Sequence, residues 1–234
     1  MQIILDSKAV SAELGETIFD VAQREGIEVP ALCRHPELKP LSTSCLVCLV
    51  KVDGRFVPSC ATDVAEGMNI ESETEEVHAM RRSALELLLS DHIAHCRTCG
   101  EGRKKCRLLK YMAKYKANRH RFKNAEASEP PADHEPQTPE NEAILQSDRV
   151  VFDPRKCIKC GLCVAITRKS GEEIGLTFLG RGFDTHVGVP FDEPLQRVLE
   201  RSADKSADKS AGESAGELAD DIVSTCPTAA LTWR

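Results

Sequence analysis

The sequence predicts an α+β protein built from two or three small domains, and three observations support this class. The chain has 234 residues, which is long for one domain. Its first ~80 residues alternate short strand patterns with a helical one. Its eleven cysteines fall into three separate sets, which indicates three separate cysteine-bearing units.

The N-terminal region predicts a small sheet with one helix. IILD and the following SKAVSAEL form a hairpin candidate, and LVCLVKVDG predicts a strand that turns at Asp53–Gly54 and returns through RFVPSCA. TIFDVAQREG predicts a helix that Thr17 caps and Gly26 ends. Its apolar face consists of Ile18, Val21 and Ala22.

Two more helices are predicted downstream. Residues 74–92 start at Thr74 and place His92 at the helix end, with apolar residues at helical spacing: Val77, Met80, Ala84, Leu87 and Leu88. After Cys106, RLLKYMAKYKANRHRF predicts a strongly basic helix.

Two segments have the composition of connections. EASEPPADHEPQTPENE, residues 126–142, is acidic and proline-rich, which is typical of a linker or an extended surface loop. SADKSADKSAGESAGE, residues 202–217, predicts an exposed insertion that is either helical or disordered. We expect four parts: 1–78, a domain with the first cysteine set; 79–125, a segment with the second; 126–145, the linker; and 146–234, a domain with the third set and an insertion near 200–218.

Composition narrows the class of protein. The net charge of −6 gives no reason to expect a nucleic-acid partner. MQIILDSKAV lacks a cationic lead and a long apolar run, and no stretch has the apolar length of a membrane helix. We therefore expect a cytoplasmic protein that does not span the membrane. In that reducing compartment, clustered cysteines are more often metal ligands than disulfides.

The first cysteine set has the spacing C-x11-C-x2-C-x11-C: Cys33, Cys45, Cys48 and Cys60. A two-iron cluster needs two thiolates per iron, and a long loop plus a following strand can supply them. The alternative is a zinc site with four cysteines. Such sites usually pair two CxxC knuckles, and this set has one, so we predict a [2Fe–2S] cluster.

The third set is C-x2-C-x2-C followed by a remote Cys-Pro: Cys157, Cys160, Cys163 and Cys226. Cysteines at steps of three can reach three corners of one [4Fe–4S] cubane, and the remote cysteine supplies the fourth ligand. Two-cluster ferredoxins place another cysteine four residues after the third, where this chain has Thr167. We therefore predict one cubane and a non-ligand role for Thr167.

The second set has three cysteines and a nearby histidine: His92, Cys96, Cys99 and Cys106. By itself this spacing leaves a zinc site and a [4Fe–4S] cluster equally open. The two flanking sets favour the cluster. We choose His92 over His95, because the side chains of His95 and its neighbour Cys96 would tend to diverge; the other alternative is a surface histidine. Eleven cysteines and one histidine then make twelve ligands for three clusters, with about ten irons.

With these motifs in place, the chain resembles a known family, the N-terminal iron–sulfur region of the large iron–sulfur subunit of respiratory complex I. Similar modules occur in iron-only hydrogenases, NAD-linked formate dehydrogenases and the diaphorase part of NAD-reducing nickel–iron hydrogenases, and the stand-alone subunits resemble this chain best. The matching segments are ALCRHPEL, CLVCLVKVDG, PSCATDVAEGM, RRSALELLLSDHIAHCRTC, CIKCGLCVAI, GRGFDTHVG and CPTAAL.

The resemblance implies a β-grasp [2Fe–2S] ferredoxin domain, a helical [4Fe–4S] segment and a C-terminal bacterial-ferredoxin-like [4Fe–4S] domain. It also implies a histidine ligand four residues before the first cysteine of the second set, which corresponds to His92. An FMN-containing, NADH-binding flavoprotein subunit and a separate catalytic subunit are the implied partners.

The sequence offers no motif for chemistry on a substrate. It has no GxGxxG phosphate loop, no G-x-S-x-G elbow and no HExxH. We therefore predict a non-catalytic electron-transfer subunit of an NAD(P)H-linked oxidoreductase, with any flavin on a partner. The alternative is a free-standing polyferredoxin. A redox-sensing or nucleic-acid-binding protein has only the basic run RKKCRLLKYMAKYKANRHR in its favour, and such a run is usually a solvated helix face.

Overall fold

The computed structural model describes residues 1–38, 43–90, 92, 102–122, 145–170, 175–200 and 215–234. Both the acidic segment 126–142 and most of the repeat 202–217 lie outside these ranges, so the predictions for them stay predictions. No helix in the described ranges has the length and apolarity needed to span a membrane.

The N-terminal region forms the predicted mixed sheet. Its strands are β1 (Gln2–Leu5), β2 (Lys8–Ser11), β3 (Leu49–Val52), β4 (Arg55–Pro58) and β5 (Asn69–Glu71), in the spatial order β2-β1-β5-β3-β4. β1 pairs antiparallel with β2 and parallel with β5, whereas β3 is antiparallel to both of its neighbours. Asp53 and Gly54 both have positive φ, as the tight β3–β4 turn requires.

Helix α1 (Ile18–Arg24) covers this sheet and is capped as predicted. The Thr17 side chain accepts a hydrogen bond from the Asp20 amide, and the Asp20 carboxylate accepts one from the Thr17 amide. This reciprocal capping box satisfies amides that the first helical turn leaves free. The buried face contains Ile18, Val21 and Ala22, as the sequence predicted.

Helix α2 (Glu75–Leu88) starts after Thr74 as predicted but ends four residues before His92. Its buried face also differs from the predicted one. Met80 and Leu87 are exposed, whereas Leu85 and the charged Arg81 are fully buried. The predicted stripe was wrong at these positions because it assigned every buried place to an apolar residue, and a buried arginine takes one of them.

The basic region forms two short helices, α3 (Gly102–Lys105) and α4 (Arg107–Tyr115). α4 ends at Lys116, whose left-handed φ of 52° stops the helix, so the predicted helix through residue 122 was too long. α4 is amphipathic, and its buried residues are Leu108, Tyr111, Met112 and Tyr115.

The C-terminal region surrounds a small three-stranded antiparallel sheet in the order β10-β7-β6. Its elements are β6 (Leu145–Gln146), β7 (Val150–Phe152), α5 (Leu162–Lys169), β8 (Thr177–Leu179), β9 (His186–Gly188), helical residues 195–200 as α6, α7 (Ala215–Thr225) and β10 (Leu231–Trp233). α5 packs against α7, and β8 pairs with β9 in a separate ribbon.

Two apolar cores hold these elements together. The smaller core lies between α1 and the five-stranded sheet and includes Cys48 and Cys60. The larger core is continuous from Leu32 and Val47, through α2 and α4, to α5, α7 and β10. Cysteines from all three sets therefore lie in or against the larger core, so the three regions are packed together.

Arg81 on α2 joins the N-terminal sheet to α4. Its side chain is fully buried, and its Nε donates to the Leu49 carbonyl at 2.9 Å, one residue after Cys48. Nη1 donates to the Tyr115 hydroxyl at 3.1 Å and lies 3.4 Å from a carboxylate oxygen of Glu73. A buried cation with these partners costs several kcal/mol to desolvate, so its contacts must be retained for the packing to survive.

Replacing Arg81 with Met should lower the thermal unfolding midpoint of the anaerobic holo-protein. The change leaves the buried Leu49 carbonyl and Tyr115 hydroxyl without their donor, at a cost of about 3 kcal/mol. For a chain of this size, that corresponds to a fall of roughly 6–12 °C in a calorimetric scan.

The matched control is Arg55→Met, because Arg55 is an exposed residue of β4 in the same sheet. It should change the midpoint by about 2 °C or less. Equal shifts for the two variants would show that Arg81 does not link the sheet to α4.

Candidate iron–sulfur sites

The four cysteines of the first set meet beside the N-terminal sheet. Cys33 follows α1, Cys45 and Cys48 precede β3, and Cys60 lies in the 3-10 turn Ser59–Ala61 after β4. All four side chains are buried. The Sγ atoms of Cys33 and Cys45 are 3.3 Å apart, and those of Cys48 and Cys60 are 3.4 Å apart.

This pairing fits two irons with two thiolates each. Two thiolates on one tetrahedral metal, with bonds of about 2.3 Å, lie about 3.8 Å apart, which is close to both measured pairs. In the described part of the chain, no three His, Cys, Asp or Glu side chains are grouped as ligands of a single metal ion. The shortest Sγ–Sγ contacts join the four thiols of the first set in two pairs.

The protonation of the first set shows why the site requires positive charge. A hydrogen bond with Cys60 lowers the pKa of Cys48 to about 7. The pKa of Cys45 is raised far above its usual value by its hydrogen bond with Cys33 and by burial, and that of Cys60 by its contacts with Cys33 and Cys48. Four thiolates so close together and so deeply buried are stable only with cations between them, which the irons of a cluster provide.

The third set surrounds a cavity at the start of α5. Cys157, Cys160, Cys163 and Cys226 all line it, together with apolar residues that include Phe152, Val187 and Leu231. Four thiols that line one apolar cavity are grouped to hold one cluster between them.

The backbone of the three described CxxC steps is turned each time by a residue with positive φ. Leu46 has a φ of 51° between Cys45 and Cys48, Lys159 one of 54° between Cys157 and Cys160, and Gly161 one of 78° between Cys160 and Cys163. Such conformations are costly for residues other than glycine and are retained where a function depends on them. The Lys159 amide donates to Cys157 Sγ at 3.3 Å, the kind of hydrogen bond that tunes an iron–sulfur cluster.

Burial also raises the pKa values of thiols in the third set. The pKa of Cys160 is raised to about 12, and that of Cys163 is raised well above its usual value. Thr167, one helical turn after Cys163, is buried and donates its hydroxyl to the Cys163 carbonyl at 2.7 Å. This contact satisfies its hydroxyl within the helix, and its non-ligand role stays a prediction.

The second set is described in part. His92 is a buried residue four positions beyond the end of α2, and Cys106 caps α4 by accepting a hydrogen bond from the Leu109 amide at 3.4 Å. Cys96, Cys99 and the alternative His95 lie outside the described residues, so the choice of His92 as ligand stays a prediction.

Backbone contacts that the sequence could not predict join the third set to each of the others. The Ser44 hydroxyl, next to Cys45, donates to the Cys160 carbonyl at 3.2 Å. On the other side, the Arg107 amide donates to the Pro227 carbonyl at 2.9 Å, and its guanidinium donates to the Thr225 carbonyl. These two carbonyls flank Cys226, and Arg107 follows Cys106. The third set therefore contacts a residue next to Cys45 of the first set and a residue next to Cys106 of the second.

Arg34 also makes contacts that the sequence did not predict. It follows Cys33 directly, stacks over the Phe19 ring at 4.4 Å and pairs with the Asp20 carboxylate. Its side chain is 14% exposed, and its buried Nε has no hydrogen-bond partner in the described residues. These contacts could not be predicted, because a single arginine after a cysteine is not part of any recognisable sequence motif.

Comparison with known families identifies two of the three regions. Residues 1–75 match the 2Fe-2S iron-sulfur cluster binding domain, and residues 81–121 match the NADH-ubiquinone oxidoreductase-G iron-sulfur binding region. The first match covers Cys33, Cys45, Cys48 and Cys60, and the second covers His92, Cys96, Cys99 and Cys106.

Three relatives show where these regions occur together. The chain is 29% identical to the G 2 subunit of NADH-quinone oxidoreductase from Rhizobium meliloti, over 80% of this chain but 21% of that protein. It is 28% identical to the gamma subunit of the NAD-reducing hydrogenase HoxS from Cupriavidus necator, over 74% of this chain and 69% of that one. A chain in a crystal structure of an NAD+-reducing [NiFe]-hydrogenase superposes with a TM-score of 0.74 at 25% identity, covering 100% of this chain and 87% of that one.

The chain spans about a fifth of the Rhizobium meliloti protein and about two thirds of the HoxS protein. The chain thus contains a region that matches the 2Fe-2S iron-sulfur cluster binding domain, followed by one that matches the NADH-ubiquinone oxidoreductase-G iron-sulfur binding region, and its homologues include subunits of NADH-quinone oxidoreductases and NAD-reducing hydrogenases.

Proposed function

We propose that this chain is the electron-relay subunit of an NAD(P)H-linked oxidoreductase in the cytoplasm. It would pass single electrons between an FMN-containing, NADH-binding flavoprotein subunit and a separate catalytic subunit. One [2Fe–2S] and two [4Fe–4S] clusters would be the carriers, held by the twelve residues of the three sets. The proposed parts keep their sequence boundaries, with a β-grasp domain at 1–78 and a ferredoxin-like domain at 146–234.

One observation carries this proposal: cysteines of all three sets pack in or against the same apolar core. Cys33, Cys45, Cys160 and Cys163 belong to it, and Cys106, Cys157 and Cys226 pack against its edge. Electron transfer between two carriers slows steeply with distance, so a relay needs its sites in one rigid interior. The Ser44–Cys160 and Arg107–Pro227 hydrogen bonds fix both neighbours of the third set at close range.

The relatives support the NAD-linked setting. Bound clusters supply one-electron transfer, whereas a hydride carrier exchanges two electrons and needs a flavin to divide them. The names of the relatives place them in NADH-quinone oxidoreductase and NAD-reducing hydrogenase. An electron-relay subunit that works beside a flavoprotein accounts for both the one-electron clusters and the NAD-linked relatives.

Anaerobic capture of the tagged chain from its own host tests the proposal. Co-purification of an FMN-containing subunit that oxidises NADH or NADPH, together with a catalytic subunit, is the expected result. A brown protein that comes down alone, with all its iron, would contradict the subunit role and favour a free-standing polyferredoxin.

Cys226→Ala should remove one cubane and nothing else. The purified native protein should contain about ten irons and the variant about six, because the third set loses a ligand. Iron analysis and the EPR signals of the remaining clusters measure this. Thr167→Ala is the control and should retain about ten irons. Loss of four irons from the control, or none from Cys226→Ala, would contradict the assignment.

His92→Cys should retain a cluster in the second set and lower its midpoint potential. A thiolate in place of a neutral imidazole makes the site more negative, which opposes reduction. An EPR-monitored redox titration measures the shift, and His95→Ala should leave the potential where it was. A shift with His95→Ala but none with His92→Cys would assign the ligand to His95.

Arg34 and Asp20 should shift the potential of the first-set cluster in opposite directions. Arg34→Met removes a buried positive charge next to Cys33 and should lower the midpoint, because reduction adds negative charge there. Asp20→Asn leaves the guanidinium without its carboxylate and should raise the midpoint. The same titration reports both variants, and shifts of equal sign would exclude an electrostatic effect of this pair.

A further inference from the structure

Positive charge is concentrated in one short segment of this acidic chain. Residues 102–122 contain nine of the chain's 31 Lys and Arg residues and none of its 37 Asp and Glu residues. The chain as a whole has a net charge of −6. We call the exposed residues of this segment the basic surface; its members include Lys105, Lys110, Lys114, Lys116 and Arg121.

The folding of α4 does not explain this charge. The helix buries an apolar face, and the basic residues occupy the remaining positions. Glu28 pairs with Lys110 at 2.6 Å and with Lys114 at 3.5 Å, and Glu86 pairs with Arg121 at 2.7 Å. Two carboxylates thus offset three cations, whereas Lys105 and Lys116 form no ion pair within the described ranges.

The basic surface lies beside two partly exposed cysteines, Cys106 of the second set and Cys226 of the third. Cys106, at the start of α4, is partly exposed. Beside it runs a groove of about 570 Å³, whose walls include Lys105, Arg107, Cys226 and Trp233. The groove therefore borders Cys226 of the third set and the two residues on either side of Cys106, together with the acidic residue Asp220. The Trp233 side chain on its wall is 42% exposed.

We propose that the basic surface and this groove form the docking site for an acidic electron-transfer protein. The inference rests on the proposed relay function and specifies the chemistry of one partner. A positive surface beside an electron exit attracts a negatively charged protein and orients it toward the exit. The exposed face of Trp233 gives such a partner an apolar contact in the groove.

Small oxidants of opposite charge test the surface directly. In anaerobic stopped flow, the dithionite-reduced holo-protein is mixed with trisoxalatocobaltate(III), charge −3, or hexaamminecobalt(III), charge +3. Each reaction moves one electron from a cluster to cobalt, which becomes Co(II). The rate constant with the anion should fall about tenfold as ionic strength rises from about 0.01 to about 0.15 M, and the rate constant with the cation should not fall.

Two double variants that change the net charge equally, at different places, show whether the salt-dependent rate depends on the basic surface. Lys105→Glu with Lys116→Glu should slow the anionic oxidant several-fold at low salt. Lys8→Glu with Arg55→Glu makes the same change in charge on the exposed N-terminal sheet and should have little effect. Equal effects of the two pairs would overturn the proposal, because the protein would then respond to net charge alone.

A native protein that reacts with the anion independently of salt would also overturn it. The surface would then already be neutralised, for instance by the six carboxylates of residues 126–142. Iron content separates this failure from failure of the relay itself. About ten irons and three reducible clusters with salt-independent rates contradict the docking site alone, whereas missing clusters contradict the proposed function.

Discussion

The structure depends on the repulsion among thiolates that are buried in one apolar interior. Burial raises the pKa of Cys160 and Cys163, and the close pairs of the first set cannot all be charged without compensation. Iron would supply that compensation, and the cysteines of the first and third sets are grouped rather than scattered. Folding and cluster binding are therefore coupled: the sites are costly for the bare chain and favourable for the loaded one.

Two arginines, the buried Arg81 and the partly exposed Arg107, hold the regions in place around these sites by donating to backbone carbonyls. Arg81 fixes α2 and α4 to the strand that follows Cys48, and Arg107 fixes the start of α4 to both sides of Cys226. Both residues donate to main-chain carbonyls, whose positions follow the fold directly. Small shifts of the cysteine loops are thereby resisted at the positions where an electron relay is most sensitive to distance.

The sequence predicted local features well and long-range ones poorly. The α1 capping box, the Asp53–Gly54 turn and the two domain matches follow from short patterns that depend on neighbouring residues. The buried face of α2 was partly mispredicted, because hydrophobic periodicity cannot anticipate the burial of Arg81. The contact of the third set with the first depends on the hydrogen bond from Ser44 to Cys160, 116 residues away, and no local pattern encodes it.

The central claim is that the third set lies between the first and the second, so that electrons pass along the chain of sites in that order. Dipolar coupling between the reduced, paramagnetic clusters, measured by pulsed EPR on the holo-protein, tests this order most directly. The claim predicts strong coupling of the third-set cluster to each of the others and the weakest coupling between the first and the second. The strongest coupling between the first and second clusters would contradict it.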